Sequence, residues 1–203
     1  MTIHGIVFDI GGVLEITPPT GWVEKWEKRL NMKISEIDKR LVSMGKDGSL
    51  GTCSNKEWQD GLQEITGMDQ VQIDEFMKDL WQEYLGTLNV ELVDYFRNLR
   101  PKYQTVILSN SFVGAREKEE EHYHLSGICD FIIYSHEVGM AKPDPRIFTL
   151  TCERLGLQPS EVIFLDDHDE IMASARELGI HCIEYKDNAQ AIADIEACIK
   201  SNI

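Results

Sequence analysis

The sequence has no C-x-x-C…H-x-x-H pattern and no even cysteine framework. Five cysteines, Cys53, Cys129, Cys152, Cys182 and Cys198, lie scattered through 203 residues. That arrangement excludes a zinc ribbon and a disulfide scaffold, and it fits buried or half-buried thiols in a reducing cytoplasm. No apolar run approaches the roughly 20 residues that a membrane-spanning helix needs. The first residues run straight into an apolar segment, so no secretory leader is expected. Basic residues are few: 20 Lys and Arg stand against 35 Asp and Glu, a formal net charge of -15. No basic stripe breaks that balance. Such a field repels nucleic acid and anionic membrane surfaces. It also sets a condition on any anionic ligand, which needs a local lysine or a metal ion to hold it. There is no internal repeat and no low-complexity segment.

What is present is ordinary in bulk and specific in places. Hydrophobic residues make up 42% and charged residues 27%, as in a globular protein. The length suits one core domain with a smaller insertion. The stretch Ile3 to Leu14 organises the rest. Ile6-Val7-Phe8 suits a strand buried on both faces. It delivers one carboxylate, Asp9, and two glycines, Gly11 and Gly12, follow at once. Glycines there permit a sharp turn and a close backbone approach. Taken alone, an Asp before two glycines is more often only a turn.

Pro18 and Pro19 then break the chain, and residues 21–86 read as helical. Trp22, Trp26 and Leu30 recur at helical spacing, as do Ile34, Ile37, Leu41 and Met44. So do Trp58, Leu62 and Ile65, then Ile73, Phe76, Met77, Leu80, Trp81 and Tyr84. Ser35 and Ser54 read as helix starts. Residues 46–51 read as a turn between helices. Trp22, Trp26 and Trp58 are expected to pack a small bundle, placed where it can act as a lid.

From Asn89 strands and helices alternate. Strands are expected at 105–108, 131–134, 162–165 and 181–185. Helices are expected at 90–99, 115–123, 145–155, 171–178 and 189–199. Repeated strand-helix units with short loops mean an α/β fold with a doubly wound parallel sheet. The organisation expected is a core of residues 1–17 and 88–203 with a helical insertion of 18–87. The run Arg116 to Glu121 reads as a solvated helix face.

Several strands end in polar residues, and in a parallel sheet those ends share one edge. They carry Asp9, then Ser109 and Asn110, then Asp166 and Asp167. Lys142 lies in the loop Ala141-Lys142-Pro143-Asp144-Pro145 between them. Three carboxylates in one cleft repel unless a cation is present. Mg²⁺ suits such oxygen donors. Ser109, Lys142 and backbone N–H groups can hold phosphate oxygens. Asp9 can then attack phosphorus and form an aspartyl-phosphate.

This set of residues, in this order, resembles the haloacid dehalogenase superfamily, most of whose members are Mg²⁺-dependent phosphatases. The resemblance covers nearly the whole chain. Asp9-Ile10-Gly11-Gly12-Val13 looks like its nucleophile motif, and Ser109 like its phosphate-binding Ser/Thr. Lys142 looks like its lysine, and Asp166-Asp167 like its acidic metal motif. The insertion is similar to the helical cap found in sugar phosphatases and in the phosphatase domain of epoxide hydrolases. The resemblance implies that Asp9 is nucleophile and metal ligand, and that Gly11 ligates Mg²⁺ through its carbonyl. It implies Asp167 as the direct acidic ligand, with Asp166 a direct or water-mediated one. Ser109, Lys142 and Asn110 would hold the phosphate of a small phosphorylated metabolite.

The match fails at two places. The usual motif is D-x-D, whose second Asp protonates the leaving group; here that position is Gly11. A general acid or base is worth about 10²- to 10⁴-fold. Three readings accommodate the gap. The substrate has a good leaving group, such as a sugar 1-phosphate or acyl phosphate. Another side chain, from the cap or Glu15, substitutes. Or the protein binds a phosphorylated ligand or a partner without turnover. Ile171 also stands where many relatives have an Asn that supports the metal. His168 follows the acidic pair and could contact metal or substrate, but a lone His on such a loop is more often just a polar loop residue. A 2-haloacid dehalogenase needs no metal, and the acidic pair argues against it.

Overall fold

The computed structural model describes residues 2–201, and within them the side chains of residues 43–47 lie outside the description. Five strands, β1 (Gly5–Phe8), β4 (Gln104–Ser109), β5 (Phe131–Tyr134), β6 (Val162–Asp166) and β7 (His181–Glu184), form a parallel sheet. Their spatial order is β5-β4-β1-β6-β7. The chain winds outward from β1 in one direction through β4 and β5, then in the other through β6 and β7. The strand order therefore reverses at β1, and ligands in such sheets bind beyond the carboxyl ends at that reversal. The expected doubly wound sheet is the one observed.

Alternation along β1 divides the core into two layers. Ile6 and Phe8 face α5 (Val90–Leu99) and α10 (Asn188–Ser201), where Leu92, Phe96 and Ile195 are fully buried. Val7 faces α8 (Pro145–Leu155) and α9 (Asp169–Glu177), against Phe148 and Met172. The Phe8 and Phe96 rings stack with centroids 4.3 Å apart. Both faces of the sheet are thus covered, which explains why its strands read as continuous apolar runs. The remaining core helices are α6 (Ala115–Tyr123), which faces the insertion, and the single turn α7 (Ser135–Val138).

The insertion leaves and rejoins the core through a two-stranded antiparallel ribbon, β2 (Glu15–Ile16) with β3 (Thr87–Leu88). Gly86 sits at its end with φ 56°, and a Cβ there would stand 2.4 Å from the Ile16 carbonyl oxygen. Only glycine fits that crossing. Between the two strands run α1 (Trp22–Arg29), α2 (Glu36–Ser49), α3 (Asn55–Thr66) and α4 (Gln70–Leu85). Their apolar faces bury Trp26, Trp58, Leu62, Phe76 and Trp81 in one cluster, closed on the core side by Ala115. Ser54 starts α3 with a full capping box to Glu57, as expected.

Three details differ from the sequence reading. Helix α2 continues through residues 46–49, and the turn falls after Ser49. Ile34 precedes α2 and is 87% exposed, so it belongs to no apolar face. Helix α9 begins at Asp169, two residues before the apolar pattern starts. Met44 was placed on the apolar face of α2, and its side chain lies outside the described residues. None of the five cysteines is in a disulfide; Cys129 and Cys152 are buried and the other three half-buried. No helix among the described residues is long and apolar enough to cross a membrane.

Candidate active site

Asp9 follows the last residue of β1 and lies at the strand-order reversal. Its N–H donates to the Leu165 carbonyl of β6 at 3.0 Å, which extends the ladder by one step and fixes the side chain at the sheet edge. Its Oδ1 accepts from the Ile10 N–H at 2.7 Å. Lys142 reaches in from the loop before α8 with a fully buried side chain. Its Nζ stands 2.8 Å from Asp9 Oδ1 and 2.7 Å from Asp166 Oδ2. Asn110 holds the lysine loop in place. Its Nδ2 donates to the Lys142 carbonyl at 2.7 Å, and its Oδ1 accepts from the Lys142 N–H at 2.8 Å. The Asn110 side chain is therefore committed to positioning Lys142. Ser109, at the end of β4, is buried beside it.

The two neighbouring acids differ in freedom. Asp166 is fully buried, and both its oxygens are engaged: Oδ2 by Lys142 and Oδ1 by the His168 N–H at 2.8 Å. Asp167 is partly exposed, and its Oδ1 meets His168 Nδ1 at 2.7 Å. That contact raises the pKa of His168. Asp166, Asp167 and His168 place ligand atoms within 4.8 Å of one another. Gly12 makes room for this group. At φ 76° it lies in the left-handed region, and a Cβ would fall 2.3 Å from Asp167 Oδ2. The loop is thus a cradle that accepts a carboxylate only because residue 12 has no side chain. Gly11, by contrast, is exposed, and a Cβ there would meet nothing within 4 Å.

Burial dominates the electrostatics. It pushes Asp9 up to about 6 against the pull of Lys142, with Asp166 adding to the rise. Two further buried carboxyls lie close enough to Asp9 to feel its charge. Glu15, 1% exposed, is pushed up to about 9 by burial, then by Glu119 and Asp9. Glu119, fully buried, is pushed up to about 7 by burial, although Tyr134 and Tyr84 donate to it and oppose the shift. The Arg116–Glu121 run is therefore not a wholly solvated face. Its Glu119 faces inward and ties α6 to α4 and β5 through two tyrosine hydroxyls. The sequence offers no local sign of this, because the partners lie 35 residues upstream and 15 downstream.

Above these groups, between the sheet edge and the inserted helices, lies a cavity of about 580 Å³. Gly11, Glu15, Ser109 and Asn110 line its floor side, and Trp22, Trp58, Leu80 and Phe112 are among the residues that close it.

Comparison with known proteins places this geometry. A model of the haloacid dehalogenase-like hydrolases matches residues 3–179. The chain belongs to that family. It is 26% identical to D-ribitol-5-phosphate phosphatase of Bacteroides thetaiotaomicron, over 98% of this chain and 100% of that protein. It is also 26% identical to bifunctional epoxide hydrolase 2 of Sus scrofa, over 97% of this chain but only 39% of that protein. Among solved structures, a HAD family enzyme from Bacteroides thetaiotaomicron in complex with magnesium and inorganic phosphate superposes with a TM-score of 0.78. That pair is 27% identical over 91% of this chain and 94% of the other. The family's core and inserted helical cap are those described above.

Two predictions follow from the buried charges of this hydrolase. Lys142→Met leaves Asp9 and Asp166 buried without their cation. Removing one partner of a buried pair costs about 3 kcal/mol or more. Urea unfolding in EDTA is expected to register that loss; an unchanged midpoint would mean the two carboxyls are solvated. Glu15→Gln acts through pH. Glu15 holds its proton in the folded state up to about 9 but releases it near 4.5 when unfolded. Its contribution is fully present below 4.5 and is lost as pH rises through 9. Gln imitates the protonated form, so the variant's melting temperature should overtake wild type progressively, by roughly 5 °C or more at pH 9. A constant offset across pH 5 to 9 would show that Glu15 does not titrate in this way.

Proposed function

We propose that this protein is a Mg²⁺-dependent phosphomonoesterase that transfers the phosphoryl group of a small metabolite to Asp9. The observation that carries the reading is the buried Lys142 ammonium held between Asp9 and Asp166, beside a cavity that Gly11, Ser109 and Asn110 line. A lysine so placed neutralises charge where a phosphate would enter beside the nucleophile.

Asp9, the Gly11 carbonyl and Asp167 would hold Mg²⁺, which takes oxygen donors of this kind. Asp167 resting in the Gly12 cradle supports the same assignment, and Asp166, engaged on both oxygens, would act through water or by orienting Lys142. When bound, Mg²⁺ supplies positive charge against the phosphate oxygens. The chain's own groups do the rest. An Asp9 carboxylate oxygen attacks phosphorus while the bond to the ester oxygen breaks, and the leaving alkoxide takes up a proton. Water then attacks phosphorus, the Asp9 carboxylate departs, and inorganic phosphate is released. Lys142 holds Asp9 in place and meets the phosphate oxygens with Ser109. The inserted helices exclude bulk water from the aspartyl-phosphate.

No carboxyl stands at position 11 to protonate the leaving group, so substrates with good leaving groups should turn over fastest. The test is phosphate release from an aryl phosphate, an acyl phosphate, sugar phosphates and nucleotides, each with Mg²⁺ and with EDTA. Mg²⁺-dependent release is expected. Silence across all of them, with phosphate still bound, would favour a binding protein, and chloride release from 2-chloropropionate without Mg²⁺ would favour a dehalogenase.

A further inference from the structure

An aspartyl-phosphate on Asp9 must be cleaved by water, and Gly11 offers that water no base. A different acid-base pair stands two residues beyond Ser109. Ser111 Oγ lies 2.8 Å from His136 Nδ1. Strand alignment brings them together. β4 and β5 pair with Ser109 opposite Tyr134, and two residues further on Ser111 meets His136. Ser135 fixes the junction. Its Oγ accepts from the Ser111 N–H at 3.0 Å. Its hydroxyl is shared between the Ser111 carbonyl at 3.1 Å and the Ser49 carbonyl of α2 at 2.9 Å. Ser135 is fully buried and Ser111 is 4% exposed, so packing holds the pair in register.

The pair also joins two openings. Ser111 lines the catalytic cavity together with Ser109 and Asn110. His136 is half-buried and lines a separate pocket of about 490 Å³, which the exposed Glu117 and Glu137 line as well.

Resting on the phosphatase reading above, we propose that Ser111 and His136 form the relay that takes the proton from the water attacking the aspartyl-phosphate. The water oxygen bonds to phosphorus as the bond from phosphorus to the Asp9 carboxylate oxygen breaks. One water proton passes to Ser111 Oγ, and the Ser111 proton passes to His136 Nδ1. Asp9 leaves as a carboxylate, inorganic phosphate departs, and the imidazolium returns its proton to solvent through its own pocket. The serine ends as it began, so His136 acts through Ser111 without meeting the substrate.

The relay needs a neutral imidazole with Nδ1 open to a proton. Burial favours that form by lowering the His136 pKa, opposed by Glu137 and Glu117 and aided by Arg116. The Tyr134 ring lies 5.6 Å away, and Lys118 lines the same pocket. The other acid-base groups are committed elsewhere. Glu15 keeps its proton up to about 9 and cannot accept another at neutral pH. Both Glu119 oxygens accept from tyrosine hydroxyls, and His168 is tied to Asp167.

An aryl phosphate isolates the step, because its phenolate leaves without help. Rapid acid quench follows the phosphoryl group on Asp9 as it forms and decays. In Ser111→Ala and in His136→Asn, decay and kcat should slow about 100-fold while kcat/KM stays within about threefold of wild type. KM then falls with kcat, and a burst of phenolate appears. Wild-type kcat should drop as the pH falls below the ordinary histidine value of 6.5, and His136→Asn should lack that limb. Imidazole added to His136→Ala should restore decay about tenfold or more. A structural role would instead lower kcat and kcat/KM together, with no burst and no rescue. That result, or decay at the wild-type rate in both Ser111→Ala and His136→Asn, would overturn the relay and leave the phosphatase reading standing. A wild-type protein that neither labels Asp9 nor releases phosphate would defeat the phosphatase reading and the relay with it.

Discussion

Asp9→Asn leaves the protein folded and lowers Mg²⁺-dependent phosphate release by about 10⁴-fold or more. The amide keeps the shape of the side chain and its acceptor oxygen for the Ile10 N–H. It removes the nucleophilic charge, and residues that act as one unit lose nearly all function when one is removed. The substitution also relieves a crowded site, since burial and Asp166 both work against ionised Asp9. The variant should therefore be at least as stable as wild type in EDTA. Inactivity with an intact melting transition is the expected pair of results. Turnover within tenfold of wild type would remove Asp9 from the chemistry.

Gly11→Asp should raise turnover, which is an unusual direction for a substitution beside a nucleophile. The backbone there is outside the left-handed region, and the new Cβ meets no atom within 4 Å. Gly11 lines the cavity, so the new carboxyl can supply there the proton that an alkoxide needs on leaving. General acid catalysis is worth about 10²- to 10⁴-fold. The gain should reach about 100-fold in kcat for an alkyl phosphate and stay small for an aryl phosphate, whose phenolate leaves without help. Steady-state kinetics on the two esters checks it. A uniform fall for both would mean that another group already protonates the leaving oxygen, with Glu15 the nearest buried candidate, and that the new carboxylate only adds repulsion.

Much of this arrangement was legible in the chain because parallel sheets bring distant strand ends together. Asp9, Ser109, Lys142 and Asp166-Asp167 could be read as one group since each follows an apolar run or precedes a helix. The structure brings Asp9, Lys142 and Asp166 into direct contact. Asn110 was legible as a neighbour of the site but not as the clamp on Lys142, because that contact spans 32 residues. Glu119 was misread, since a run of alternating charges looks solvated whichever member turns inward. Ribbon strands of two residues each carry no period to detect, so the crossing between core and insertion was placed from Pro18 and Pro19 alone. Ile34 shows the opposite failure: correct spacing on a residue that the helix never reaches. The pairing of Ser111 with His136 depends on how β4 and β5 align at their ends, and no local pattern encodes that.

The most direct test of phosphoryl transfer to Asp9 is to trap it. The protein is mixed with an aryl phosphate and Mg²⁺, quenched in acid within one turnover, digested and mapped by mass spectrometry. A phosphoryl group on the peptide that carries Asp9, absent with EDTA and absent in Asp9→Asn, is the predicted result. Phosphate released at the same rate with no label on that peptide, or with label on another residue, would contradict it.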